Sequence, residues 1–108
     1  MSSRLILPHR RLRDRMSEEA FQQWVIELAR VCGWRYYHTR YSKRSPSGFP
    51  DLVLVRNGLL IFAELKSEKG RVTTDQQDWL DELDDVVPVI AVFVWRPSDM
   101  EQIARVLT

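Results

Sequence analysis

Apolar residues first recur at helical spacing in Phe21, Trp24, Val25, Leu28 and Cys32, which share one face of a 3.6-residue turn. Ser17 precedes them as an N-cap, Glu18 and Glu19 suit the first turn, and Gly33 suits the C-terminal end. The pattern predicts a helix over residues 18–32. The period then changes. Residues 34–41 are aromatic-rich and alternate loosely, as a strand does. Residues 42–50 hold serine, proline, glycine and basic residues and read as a loop. Residues 51–55 and 59–66 are apolar runs joined by Asn57-Gly58, the strongest short hairpin signal. Both runs are apolar on both faces, which predicts a sheet covered on both sides. Thr73 or Thr74 caps a second helix marked by Gln76, Trp79, Leu80 and Leu83. Residues 89–95 form a further strand ended by Pro97, and Ser98 caps a last helix carrying Met100, Ile103, Ala104 and Leu107. The order helix, three strands, helix, strand, helix is that of an α/β layered fold.

Length and charge refine this picture. A chain of 108 residues fits one domain that can bury a core without disulfides or structural zinc. Its single cysteine, Cys32, falls in the apolar helical stripe and reads as a small buried hydrophobe, compatible with a reducing compartment. No apolar run is long enough to span a membrane, and the N-terminal arginines precede no apolar signal segment. A cytoplasmic, non-secreted protein is expected. Net charge is +1, but its distribution is uneven. His9, Arg10, Arg11, Arg13 and Arg15 form one basic cluster, and Arg35, His38, Arg40, Lys43 and Arg44 another. The acidic excess follows at residues 75–85. Such a basic half can meet phosphate, or be simply a pair of solvated segments. Residues 1–16 show no clear period and read as a basic N-terminal arm, with residues 17–108 as the domain.

The hairpin carries the chemistry. With Asn57-Gly58 as a two-residue loop, Val55 faces Leu60 and Leu52 faces Ala63. Asp51 then faces Glu64, with Cβ atoms roughly 4.5–5.5 Å apart. Lys66 emerges on the same face two residues on. Facing carboxylates repel each other unless something positive lies between them, and a divalent cation with oxygen ligands would serve. A metal, an activated water and a fixed cation are what phosphodiester hydrolysis requires. A bulge would shift this ladder, and a solvated sheet edge is the alternative reading.

These residues resemble a known family. Pro50-Asp51 followed by Glu64-Leu65-Lys66 after a hairpin is similar to the signature of the PD-(D/E)XK nuclease superfamily. Gly48-Phe49-Pro50-Asp51-Leu52, Glu64-Leu65-Lys66, and Gln76 with Trp79-Leu80 together resemble the VRR-NUC family, the virus-type replication-repair nucleases. The resemblance covers residues 17–97. It implies a restriction-endonuclease-like αβββαβ core with a mixed sheet flanked by helices, followed here by a C-terminal helix. It implies Mg²⁺ or Mn²⁺ held by Asp51, Glu64 and the carbonyl of Leu65, with Lys66 orienting or activating water and Gln76 assisting. It also implies a carboxylate from the first helix, for which Glu18 is preferred over Glu19 because it shares a face with Gln22 beside the apolar stripe. A dipole or capping role is the alternative for either.

The expected activity is metal-dependent endonucleolytic hydrolysis of DNA. Arg40, Lys43, Arg44 and His38 would contact the backbone, which positions DNA without reading its sequence. No element looks like a base-reading helix, so branched DNA such as a Holliday junction fits better than a specific site. Resemblance to junction resolvases implies a homodimer in a bacterial or phage-infected cell, with the last strand and Trp95 as interface candidates. The alternative is a non-catalytic nucleic-acid-binding module of the same fold.

Overall fold

A computed structural model describes residues 7–40, 44–86 and 90–108. In chain order it contains α1 (Arg10–Asp14), α2 (Glu18–Val31), β1 (Arg35–His38), β2 (Leu52–Arg56), β3 (Leu59–Leu65), α3 (Thr74–Asp84), β4 (Ile90–Trp95) and α4 (Met100–Leu107). The four strands form one sheet in the order β1-β2-β3-β4. The first two pairings are antiparallel and β3–β4 is parallel, so the sheet is mixed. This is the restriction-endonuclease-like α/β arrangement expected from the sequence, with helices flanking the sheet and a C-terminal helix.

The β2–β3 register follows from its turn. Asn57 and Gly58 both have positive φ, +50° and +79°, the pair of left-handed residues a two-residue type I′ hairpin needs. Leu52 therefore pairs with Ala63, Leu54 with Ile61 and Val55 with Leu60. No bulge interrupts the pairing.

Strand alternation gives the sheet two different faces. Leu52, Leu54, Ile61, Ala63, Leu65 and Trp95 are buried with Phe21, Val25 and Ala29 of α2 and Met100, Ile103 and Leu107 of α4. This layer is the main core. The opposite face carries Val53, Phe62, Glu64, Val92 and Val94, and α3 packs over its β4 side. That second face is only partly covered. Tyr37 and Val55, on its β1–β2 side, are 65% and 44% exposed. The sequence expectation of a sheet covered on both sides is corrected here: α3 has 11 residues, or about 16 Å of helix, and reaches across only part of four strands.

The C-terminal helix is pinned by polar contacts. Arg56 donates from Nη1 to the carbonyls of Cys32 and Leu107, each at 2.9 Å, and its guanidinium lies 4.5 Å from the Trp34 ring centroid. The Trp34 indole donates to Leu107 as well. Cys32, expected to be fully buried, caps α2 and is only partly buried against the core.

Two local expectations change. Within the segment read as an arm, residues 10–14 form α1, and Leu7 and Met16 pack on the core. Arg13 pairs with Glu101 at 3.0 Å. A partner 88 positions away leaves no periodic trace in a run of arginines. Pro97–Asp99 form a 3₁₀ turn in which Asp99 accepts from the Arg96 backbone, so α4 starts at Met100 and Ser98 is not its cap.

Trp95, named as an interface candidate, is 1% exposed and stacks on Phe93. Its place in the core withdraws it from any interface role. Among the described residues no helix is long and apolar enough to cross a membrane.

Candidate active site

Asp51 lies one residue before the paired stretch of β2, and Glu64 one residue after its last partner in β3. Continuation of the ladder sets the two carboxylates opposite each other. Asp51 is anchored at both ends. Its Oδ2 accepts from the Leu65 backbone at 2.8 Å, and its carbonyl accepts from Thr39 N–H, also at 2.8 Å. Lys66 continues the strand direction, and its N–H donates to the Trp95 carbonyl of β4.

Glu64 is 1% exposed. Its Oε2 lies 3.5 Å from Lys66 Nζ, while Oε1 is buried with no hydrogen-bond partner among the described residues. Burial pushes the Glu64 carboxyl up to about 8, the negative charge of Asp51 adds to the rise, and Lys66 opposes it. Two carboxylates facing each other in a buried site can share a proton or hold a cation between them. The donor set is all oxygen, which suits a hard divalent ion.

The loop after Lys66 is held rigidly. Arg96 donates from Nη1 to the carbonyls of Ser67, Glu68 and Gly70, and the Ser98 N–H donates to Glu68. Nothing in the sequence pattern singled out Arg96. Three carbonyls converging on one guanidinium become visible only when the loop after β3 meets the end of β4.

Gln76 is in the first turn of α3, where Thr73 is its N-cap. The Thr73 hydroxyl accepts from Gln76 N–H, and Gln76 Oε1 accepts from Thr73 N–H at 2.9 Å. With its oxygen committed to this capping box, the side chain offers its amide NH₂ as a donor.

Gln76 and Asp51 both line a cavity of about 800 Å³. Tyr37, His38, Arg40, Phe49 and Trp79 contribute to its walls. One wall depends on Gly48. At φ +97°, a Cβ there would lie 2.6 Å from the Asp75 carbonyl carbon and oxygen, so only glycine lets the loop close on α3. Ser47 hydrogen-bonds Asp75 beside it. Phe49 then packs edge-on against Phe62 and Trp79.

The remaining sequence candidates fall as follows. Arg40 and Arg44 are exposed, and Lys43 lies outside the described residues. Glu18 and Glu19 are exposed at the start of α2, whose buried residues belong to the core face rather than the Glu64 face. Among the described residues no group of three His, Cys, Asp or Glu side chains is placed to hold a metal. A Glu18 ligand stays a proposal: the residue stands exposed at the start of α2, whose buried face packs on the core side of the sheet.

The hairpin, the facing carboxylates and the lysine coincide with a VRR-NUC domain match over residues 9–94. The chain belongs to the VRR-NUC family. Membership carries a nuclease-type function, and DNA as its class of substrate. PD-(D/E)XK-type nucleases in general use divalent metals. No curated protein and no solved structure matches the chain. The VRR-NUC match begins at residue 9 and so takes in α1.

Proposed function

We propose that this VRR-NUC domain is a Mg²⁺- or Mn²⁺-dependent endonuclease that hydrolyses DNA phosphodiester bonds, selecting branched DNA by structure. The observation that carries the reading is the buried Glu64 Oε1, without a hydrogen-bond partner among the described residues and facing Asp51, with Lys66 Nζ at 3.5 Å from the other Glu64 oxygen.

Asp51, Glu64 and the carbonyl of Leu65 would hold the ion. When bound, a divalent cation supplies polarisation of the phosphoryl group and a water acidic enough to attack at neutral pH. Lys66 would stand beside the attacking water and the reacting phosphate, where negative charge develops. Gln76 would donate its amide NH₂ to a phosphate oxygen or to water, while its oxygen serves Thr73. Arg40, Arg44, His38 and Lys43 would contact the backbone. These contacts set position, not sequence. A homodimer would present two such sites to a two-fold junction.

The test is cleavage of labelled four-way junction, flap, duplex and single strand in Mg²⁺ or Mn²⁺ by wild type, Asp51→Ala and Lys66→Met. Wild type should cut a branched substrate, and both variants should lose at least about a hundredfold in rate, the scale of one lost electrostatic donor. Binding by wild type without metal-dependent cleavage would leave a nucleic-acid-binding module instead.

A further inference from the structure

Phosphate, water and a metal ion account for little of the cavity beside Asp51. Its volume of about 800 Å³ lies within the range of sites that enclose a whole small molecule. Its walls are chemically divided. Tyr37, Phe49 and Trp79 supply aromatic surface, while Arg40 and Gln76 supply donors near Asp51.

The aromatic part is fixed in place. Phe49 meets Trp79 at a centroid distance of 5.0 Å and an interplanar angle of 81°, and meets Phe62 at 5.9 Å and 87°. Gly48 holds that loop against α3. Tyr37, on the edge strand β1, lines the same cavity and is 65% exposed. Rings left open beside a cation and a phosphate-handling carboxylate match the requirements of a flat, π-faced ligand attached to a phosphate.

We propose that this cavity seats an unpaired nucleobase next to the scissile phosphate, stacked on Tyr37, with Arg40 on the adjoining phosphate. A base inside a duplex has both faces covered by its neighbours and cannot enter. It must first leave the stack, and that step costs least at a branch, a flap or a single strand. Selection for branched DNA then comes from access to this cavity, without any base-reading helix. The inference rests on the nuclease reading of Asp51 and Glu64, and it names the substrate feature that site accepts.

The test is a binding cycle run with Ca²⁺ in place of Mg²⁺, separate from the cleavage assay. Forked DNA carries 2-aminopurine, or an abasic residue, as the unpaired nucleotide beside the cut. The proteins are wild type, Tyr37→Ala and Tyr37→Phe, the ring being 65% exposed, with the fold of each checked by circular dichroism. Wild type should quench 2-aminopurine, and Tyr37→Phe should retain the quenching. Tyr37→Ala should lose it and bind about tenfold or more weakly, the scale of one stacked base. The abasic fork should weaken wild type by a similar factor and leave Tyr37→Ala unchanged, since each change removes the same contact. Equal wild-type affinity for abasic and base-bearing forks, or quenching that survives in Tyr37→Ala, overturns the base site. Failure of wild type to cut any DNA in Mg²⁺ or Mn²⁺ overturns the nuclease reading instead and leaves the binding cycle to be read on its own.

Discussion

Replacing Glu64 with glutamine should stabilise the metal-free protein at neutral pH while abolishing its response to metal. The side chain is 1% exposed, faces Asp51, and has a buried oxygen that accepts no hydrogen bond among the described residues. Its carboxyl moves from an ordinary value of 4.5 to about 8, through burial first and then the Asp51 charge. Because the folded value lies above the unfolded one, the folded chain holds an extra proton between those two pH values. The stability contributed by this proton is fully present below pH 4.5 and is lost as pH rises through 8. By pH 7 the loss is on the order of 3 kcal/mol, and solvent reaching the pair through half-exposed Asp51 reduces it to about 1–3 kcal/mol. Glutamine keeps the shape of the protonated acid and cannot ionise. Urea denaturation in EDTA from pH 4.5 to 8.5 should therefore show wild type losing stability with pH more steeply than Glu64→Gln. At pH 7.5 the variant should be the more stable by about 1–3 kcal/mol. Adding Mn²⁺ should raise the wild-type melting temperature and leave the variant near its metal-free value. Matching pH slopes, or a variant less stable than wild type in EDTA at pH 7.5, would show that the two carboxylates do not oppose each other in the folded chain.

Two further perturbations test the frame around the site. Arg56→Ala removes two charged hydrogen bonds to the Cys32 and Leu107 carbonyls and the contact with Trp34; it should lower unfolding free energy by about 2–4 kcal/mol in chemical denaturation, and an unchanged midpoint would mean that these groups do not pin α4. Gly48→Ala places a Cβ 2.6 Å from the Asp75 carbonyl at φ +97°; it should cost about 1–3 kcal/mol and raise KM for a forked substrate more than it lowers kcat, whereas wild-type stability and KM would show that this loop does not shape the cavity.

The parts of the site legible in the sequence were those governed by local rules. Asn57-Gly58 demands positive φ at two successive residues, and that demand alone aligns Asp51 with Glu64. Lys66 follows by alternation. The sequence offers Thr73 or Thr74 as the cap of α3, and the structure selects Thr73, closed by Gln76. The parts that stayed hidden depend on which layers meet. Glu18 borders the apolar stripe on its helix, yet that stripe packs on the face of the sheet away from Glu64. Trp95 is the end of an apolar strand whether it closes the core or an interface. The α1 segment is held by Arg13 reaching Glu101, and the cavity by Gly48 closing on Asp75. These contacts join distant positions, and no periodicity marks them.

Alternation along β2 and β3 also divides the protein's evolutionary freedom. Leu52, Leu54, Ile61 and Ala63 answer to packing, while Asp51 and Glu64 stand on the opposite face, where the proposed reaction would take place. Substitutions that adjust the packing of the main core therefore fall on one set of positions and leave the side chains of the other set in place. A one-residue slip in the pairing of β3 with β2 would instead turn every side chain of the slipped strand to the other face, carrying Glu64 toward the core and Ile61 away from it. The hairpin therefore tolerates a change of residue more readily than a change of length.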